Sequence, residues 1–183
     1  MTERQTVDDY LSGAEDVRRR ELVWGRVREP AAPRWGHQEI VTRTTVLLYQ
    51  HVHEQQLGRV CASPVDVVLD ARKGLVVQPD VVFVSNERVH IVDGQVWGAP
   101  DLVVEVESFG TRRRDRVWKR RWYGQYGVRE YWLVDPVERT VTVLTFPTVG
   151  RMRRRRCRGD APVESAVLPG LRVSASDVFD QRP

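Results

Sequence analysis

Residues 99–136, APDLVVEVESFGTRRRDRVWKRRWYGQYGVREYWLVDP, decide the fold. The opening 101–107 (DLVVEVE) is dense in β-branched residues and reads as a strand. Residues 111–126 (TRRRDRVWKRRWYGQY) read as a helix, with Thr111 placed to cap its start and Gly127 to stop it. Val117, Trp118, Trp122 and Tyr126 are its predicted apolar face. A second strand, 130–135 (EYWLVD), ends in a turn at Pro136. Strand, helix and strand in succession argue an α/β chain with a mixed, twisted sheet.

The flanks agree with this reading. Upstream, 59–69 (RVCASPVDVVL) and 76–84 (VVQPDVVFV) are predicted strands. Residues 36–57 carry Ile40, Val41, Thr44, Leu47, Leu48 and Val52 as a helical stripe closed by Gly58. Residues 21–29 (ELVWGRVRE) alternate like a short hairpin stopped by Pro30 and Pro33, and 1–20 form an N-terminal extension with room for a short helix. Downstream, 139–146 and 151–157 form a meander, followed by a strand near 171–174 and a short C-terminal helix. Residues 21–183 thus read as a single domain.

Composition narrows the class. The 183 residues are 41% apolar and 30% charged, which excludes a disordered, collagen-like or coiled-coil chain. No apolar run approaches the ~18 residues of a membrane span, and the N-terminus lacks the apolar centre of a signal peptide. A soluble cytoplasmic protein without an organic cofactor is expected. Cys61 and Cys157 suit neither a zinc site nor a disulfide framework, and both are expected reduced. His51 and His53, two apart, would face different sides of a helix and make no metal pair.

The net charge of +4 permits nucleic-acid binding without proving it. Of 29 basic residues only Lys73 and Lys119 are lysine. Lysine's compact, titratable ammonium differs from the arginine fork, so a lysine surviving in such a chain points to a site that needs it. Lys73 lies in a turn and needs no further explanation. Lys119 lies in an arginine-crowded helix and does.

Three acids interrupt aliphatic strands: Asp80, Glu105 and Glu107. A carboxylate in a buried strand costs several kcal/mol unless it is paired, hydrogen-bonded or metal-bound. Pro79 removes a ladder N–H before Asp80 and predicts a bulge or bend there. Glu105 and Glu107 share one face of their strand, with Val104 and Val106 on the other. If the two strands are neighbours, Asp80 lies beside Glu105, and a divalent cation, Mg2+ or Mn2+, suits such a pair. Asp101 lies four residues from Glu105, ~13 Å along the strand, too far to share an ion.

Pro79-Asp80 followed by Glu105 resembles the PD-(D/E)XK nuclease superfamily. The run 99–136 resembles the Uma-type restriction endonuclease family within it. The likeness covers about 21–179 and includes Gly36-His37-Gln38-Glu39 and Leu168-Pro169-Gly170-Leu171. It implies a restriction-endonuclease-like mixed sheet flanked by helices, with extra C-terminal strands. It implies hydrolysis of DNA phosphodiester bonds with Asp80 and Glu105 as ligands of Mg2+, and a homodimer. The superfamily's usual lysine position holds Glu107 here; the family is thought to move that lysine to the following helix, where Lys119 stands. Glu39 matches an acid that many such nucleases carry on the first helix. The Ser-Pro-Ser-Thr turn usual in the family is here Ser108-Phe109-Gly110-Thr111.

Plainer roles stand beside these. Lys119 with Asp115 would make a surface ion pair, and Glu39 an ordinary first-turn acid. Glu107 is either a further metal ligand or an exposed strand-end acid. His37 reads as a solvent-facing cap before a helper at the site, Asp101 and Asp135 as turn caps. Trp118, Trp122 and Trp132 read as core anchors. Arg112, Arg113 and Arg114 could clamp phosphates; the arginines of 151–158 read as DNA contacts or as a charged, protected edge. The alternative function is a non-catalytic nucleic-acid-binding or protein-interaction module on the same fold.

Overall fold

A computed structural model describes residues 4–13, 19–108, 114–148 and 150–180. Its elements are α1 (Val7–Ser12), β1 (Glu21–Val23), β2 (Arg26–Arg28), α2 (Trp35–Glu54), β3 (Gly58–Ala62), β4 (Val67–Asp70), β5 (Leu75–Val77) and β6 (Val81–Ser85). A 3-10 turn (Asn86–Ile91) leads to β7 (Val92–Asp93), β8 (Gln95–Trp97), β9 (Leu102–Val106), α3 (Arg114–Tyr126), β10 (Glu130–Asp135), β11 (Thr140–Thr148), β12 (Arg151–Arg158) and α4 (Ala175–Phe179).

The predicted mixed sheet is divided in two. One sheet runs β2-β1-β5-β4-β8-β7, the other β12-β11-β10-β9-β6-β3. The chain changes sheets twice where a single strand was expected. Residues 59–69 split around Pro64 into β3 and β4, and 76–84 split around Pro79 into β5 and β6. A proline lacks the N–H a central ladder needs, so each marks a crossing between sheets. The amide of Ser63 donates to the carbonyl of Asp80 (2.9 Å), tying the two crossings together.

The second sheet is the middle layer, and its strands alternate between two cores. On one side Val81, Phe83, Leu102, Val104, Trp132 and Val134 pack with Val41, Leu48 and Val52 of α2. Fully burying such a side chain contributes roughly 1.5–3 kcal/mol. On the other side Val82, Val84, Val103 and Tyr131 meet the first sheet and Trp122 and Tyr123 of α3. Residues 4–13 are held against the first sheet by Val7 and Tyr10, which cluster with Leu22, Val68 and Val76.

Several local expectations differ. Helix α2 ends at Glu54, and Gly58 opens β3. Gly58 has φ 156°, and a Cβ there would meet the Val84 carbonyl at 2.1 Å, so the position is fixed by close backbone approach. On α3, Val117 and Trp118 are exposed; the buried stripe is Lys119, Trp122 and Tyr123, with Tyr126 half-buried. The predicted strand near 171–174 is reduced to a single bridge between Pro162 and Ser174. The hairpin of 21–29 turns at Trp24 and Gly25, both at positive φ as a tight hairpin turn demands. Among the described residues no helix is long and apolar enough to cross a membrane.

Candidate active site

The site forms where β5 hands the chain to β6. Strands β6 and β9 are antiparallel neighbours with Val81 opposite Val104, so Asp80, one residue before Val81, lies beside Glu105. Both acids are buried, Asp80 2% and Glu105 8% exposed. Each anchors one oxygen in the protein. Asp80 Oδ2 accepts from the Val106 amide at 2.7 Å; Glu105 Oε1 accepts from Tyr123 Oη at 2.7 Å and Lys119 Nζ at 2.8 Å.

The other two oxygens converge on one guanidinium. Arg19 reaches Asp80 Oδ1 at 2.8 Å and Glu105 Oε2 at 3.5 Å, and donates to the Gln78 carbonyl. Its Nε, though buried, has no hydrogen-bond partner among the described residues. Lys119 Nζ bridges Glu105 and Glu21, each at 2.8 Å, and Glu21 also accepts from the Gln78 amide (3.2 Å). His37, at the start of α2, puts Nε2 3.0 Å from the Val106 carbonyl and 3.5 Å from Asp80 Oδ2. An oxygen acceptor at 3.0 Å assigns the proton to that nitrogen.

Electrostatics separate the two acids. Burial raises the Asp80 carboxyl, but the hydrogen bond from His37, the Arg19 charge and the Val106 amide outweigh it and hold the group below its ordinary value. At Glu105 burial wins: reinforced by the negative charges of Asp80 and Glu21, it raises the group despite Lys119 and Arg19. Burial alone would lower Lys119, yet Glu105 and Glu21 push it well above its ordinary value, so it stays an ammonium. Tyr123 is also raised, by burial first and then by Glu105, and remains a donor.

Asp80, Glu105 and Lys119 therefore meet in space. Glu39 forms an ion pair with Arg43 one turn along α2 at 3.1 Å. Glu107 is buried just past the end of β9, its amide donating to the Val134 carbonyl. Arg112 and Arg113 lie outside the described residues, as do Thr111 and most of its turn; Arg114 begins α3, and its side chain and that of Asp115 also lie outside the description. Asp101 sits at the far end of β9, accepting from the Ser85 amide and pairing with Arg129 at 3.1 Å. Asp135 caps its turn through the amides of Val137 and Glu138.

Sequence reasoning missed Arg19, Glu21 and Tyr123, and favoured a solvent-facing His37 over the inward placement found here. Tyr123 was within reach, since it follows Lys119 by four positions on one helix face. Asp80 Oδ1 and Glu105 Oε2 are hard oxygen donors, the kind that suits Mg2+ with waters completing its shell. Among the described residues, no three His, Cys, Asp or Glu side chains group as a metal site.

Known proteins resemble this chain at two levels. A putative nuclease of the DUF820 group from Anabaena variabilis ATCC 29413, seen in a crystal structure, is 21% identical. The match covers 95% of this chain and 97% of that one with a TM-score of 0.78, which shows the shared fold. Comparison with curated proteins gives no match. The family model described as "Putative restriction endonuclease" matches residues 7–176. The chain therefore belongs to the Uma2 family, which that model describes as putative restriction endonucleases.

Proposed function

We propose that this protein is a metal-dependent endonuclease that hydrolyses DNA phosphodiester bonds at the Asp80–Glu105 pair. The observation carrying this reading is that one oxygen of each acid is anchored while the other is turned onto a shared cation, the Arg19 guanidinium. Two convergent hard oxygens already holding positive charge fit a divalent ion of small ligand demand, Mg2+ or Mn2+. Such an ion, when bound, polarises the scissile phosphate and lowers the pKa of a water.

The chain's own residues do the rest. Lys119 is an ammonium locked between Glu105 and Glu21. It cannot take up a proton, so its work is to orient an attacking water and to offset charge developing on phosphate. Tyr123 and Lys119 fix the Glu105 carboxylate from one side, and His37 with the Val106 amide fixes Asp80 from the other. Arg19, swung off the pair, becomes a fork able to grip phosphate oxygens. Cutting both strands of a duplex would call for two copies of the chain, which sedimentation would reveal as a dimer.

The test is nicking of supercoiled plasmid in Mg2+ or Mn2+. Cleavage by the wild type, its loss in EDTA and its loss in Asp80→Ala support the reading. A wild type that binds DNA without nicking it in either metal would leave the non-catalytic module as the better account.

A further inference from the structure

Strand β12 is the free edge of the second sheet and carries Arg151, Arg153, Arg154, Arg155, Arg156 and Arg158. Register sorts most of them by face. Leu144 lies opposite Arg154, Thr142 opposite Arg156 and Thr140 opposite Arg158; Leu144 packs in the core on the α3 side. Val143 lies opposite Arg155 and Val141 opposite Cys157, all on the α2 side. Arg154, Arg156 and Arg158 therefore form one row, at about 6.7 Å per step along the strand.

That row is in register with the site. Glu105 is opposite Leu133, Leu133 opposite Thr142, and Thr142 opposite Arg156. The four residues form one transverse line on one face of the sheet, with three strand gaps or ~14 Å between the backbones of Glu105 and Arg156. Leu133, between them, is only half-buried. Arg156 approaches Glu138 at 3.8 Å, an exposed pair; among the described residues Arg154 and Arg158 have no ion-pair partner.

From this alignment we propose that the Arg154–Arg156–Arg158 row is a docking rail for the phosphate backbone of duplex DNA. The inference rests on the nuclease reading and adds the surface that delivers the substrate. Glu21, Asp80 and Glu105 outnumber Arg19 and Lys119, so further positive charge nearby favours the approach of a duplex. The ~14 Å span is close to the ~12 Å width of the major groove. One strand at the carboxylates thus lays the other strand across the groove on the rail. Protection of a bare sheet edge would be served by charges on either face; it does not account for a row aligned with the site.

The experiment measures binding of a labelled 20-base-pair duplex in EDTA between 50 and 200 mM KCl, so cleavage plays no part. Two double variants remove the same charge from opposite faces: Arg154→Gln with Arg156→Gln, and Arg153→Gln with Arg155→Gln. The first should reduce the slope of log K against log salt by about 1.8, and weaken binding at 50 mM on the order of 10²-fold. The second should leave the slope near the wild-type value. Equal slopes for the two variants, or no duplex binding by the wild type, would overturn the rail. So would an equal loss for the single-stranded 20-mer. Because no metal is present, failure of the catalytic reading shows in the nicking assay and failure of the rail shows here.

Discussion

Arg19→Met removes the cation shared by Asp80 and Glu105 while keeping the apolar stem. At an effective dielectric of about 20, unit charges 2.8 Å apart attract by about 6 kcal/mol and those 3.5 Å apart by about 5. Desolvation of the three groups consumes much of this. Leaving two buried carboxylates without their partner should cost about 3–5 kcal/mol net. For a chain of this size that is a fall of about 6–20 °C in Tm, read by thermal denaturation in EDTA. Mg2+ should then act in opposite measure on the two proteins. In the variant the two oxygens are open to it, and Mg2+ at a hundred times its Kd restores about 2.7 kcal/mol, or 5–11 °C. In the wild type Mg2+ must first displace Arg19, so the same concentration should raise Tm by less. An unchanged Tm in EDTA would show that Arg19 does not neutralise the pair, and equal Mg2+ shifts in both proteins would show that the metal and Arg19 do not share the oxygens.

Other residues carry their own tests. Lys119→Ala leaves Glu21 and Glu105 facing one another and should cost about 3–5 kcal/mol and abolish nicking, whereas Lys119→Arg keeps the charge and asks of the same nicking assay whether geometry matters. His37 loses basicity to burial but gains more from its hydrogen bond and charge pairing with Asp80, so its folded pKa lies above 6.5. The stabilisation it gives in EDTA is therefore full below pH ~6.5 and fades as pH rises through the folded value. A Tm profile from pH 5.5 to 8.5 should show this decline, and His37→Gln should flatten it. Gly124→Ala, which in an open helix would gain up to ~1 kcal/mol, should instead lose about 1–3 kcal/mol by chemical denaturation, because the new methyl would sit 2.8 Å from the Phe146 ring.

What the sequence made legible had one character: a residue out of keeping with its neighbours. Asp80 after Pro79 and Glu105 among valines are costly unless used, and Lys119 stands alone among arginines. Arg19 hides for the converse reason, being one of 27 arginines. Glu21 looks like an ordinary strand-end acid until Lys119 reaches it from α3. The error on α3 came from placing only apolar residues inside. The inward positions 119, 122, 123 and 126 follow the i, i+3, i+4, i+7 spacing of a helix stripe, but only if a lysine is admitted to it. The division into two sheets is signalled by Pro64, inside a stretch read as one strand, and by Pro79, read as a bulge or bend, because a proline tells where a ladder breaks and not where the chain goes next.

The geometry around Arg19 also decides what kind of motion could free the two oxygens. Tyr10 Oη donates to the Arg20 carbonyl at 2.8 Å, and the Arg20 amide donates to Gln78 Oε1 at 3.0 Å, while Gln78 Nε2 donates to Asp66. The Gln5 amide donates to the Gly25 carbonyl, so the chain just before α1 is tied to the β1–β2 turn. With Arg20 anchored through both its backbone groups, releasing Asp80 and Glu105 does not require the N-terminal segment to leave the domain. Rotation of the Arg19 side chain would give up its contacts with Asp80, Glu105 and the Gln78 carbonyl, whereas its Nε has no hydrogen-bond partner among the described residues to lose. The three carboxylates would then be balanced by Lys119 and by whatever cation takes the guanidinium's place. The N-terminal segment is in this sense part of the site: through Arg19 it supplies the positive charge held between two buried acids.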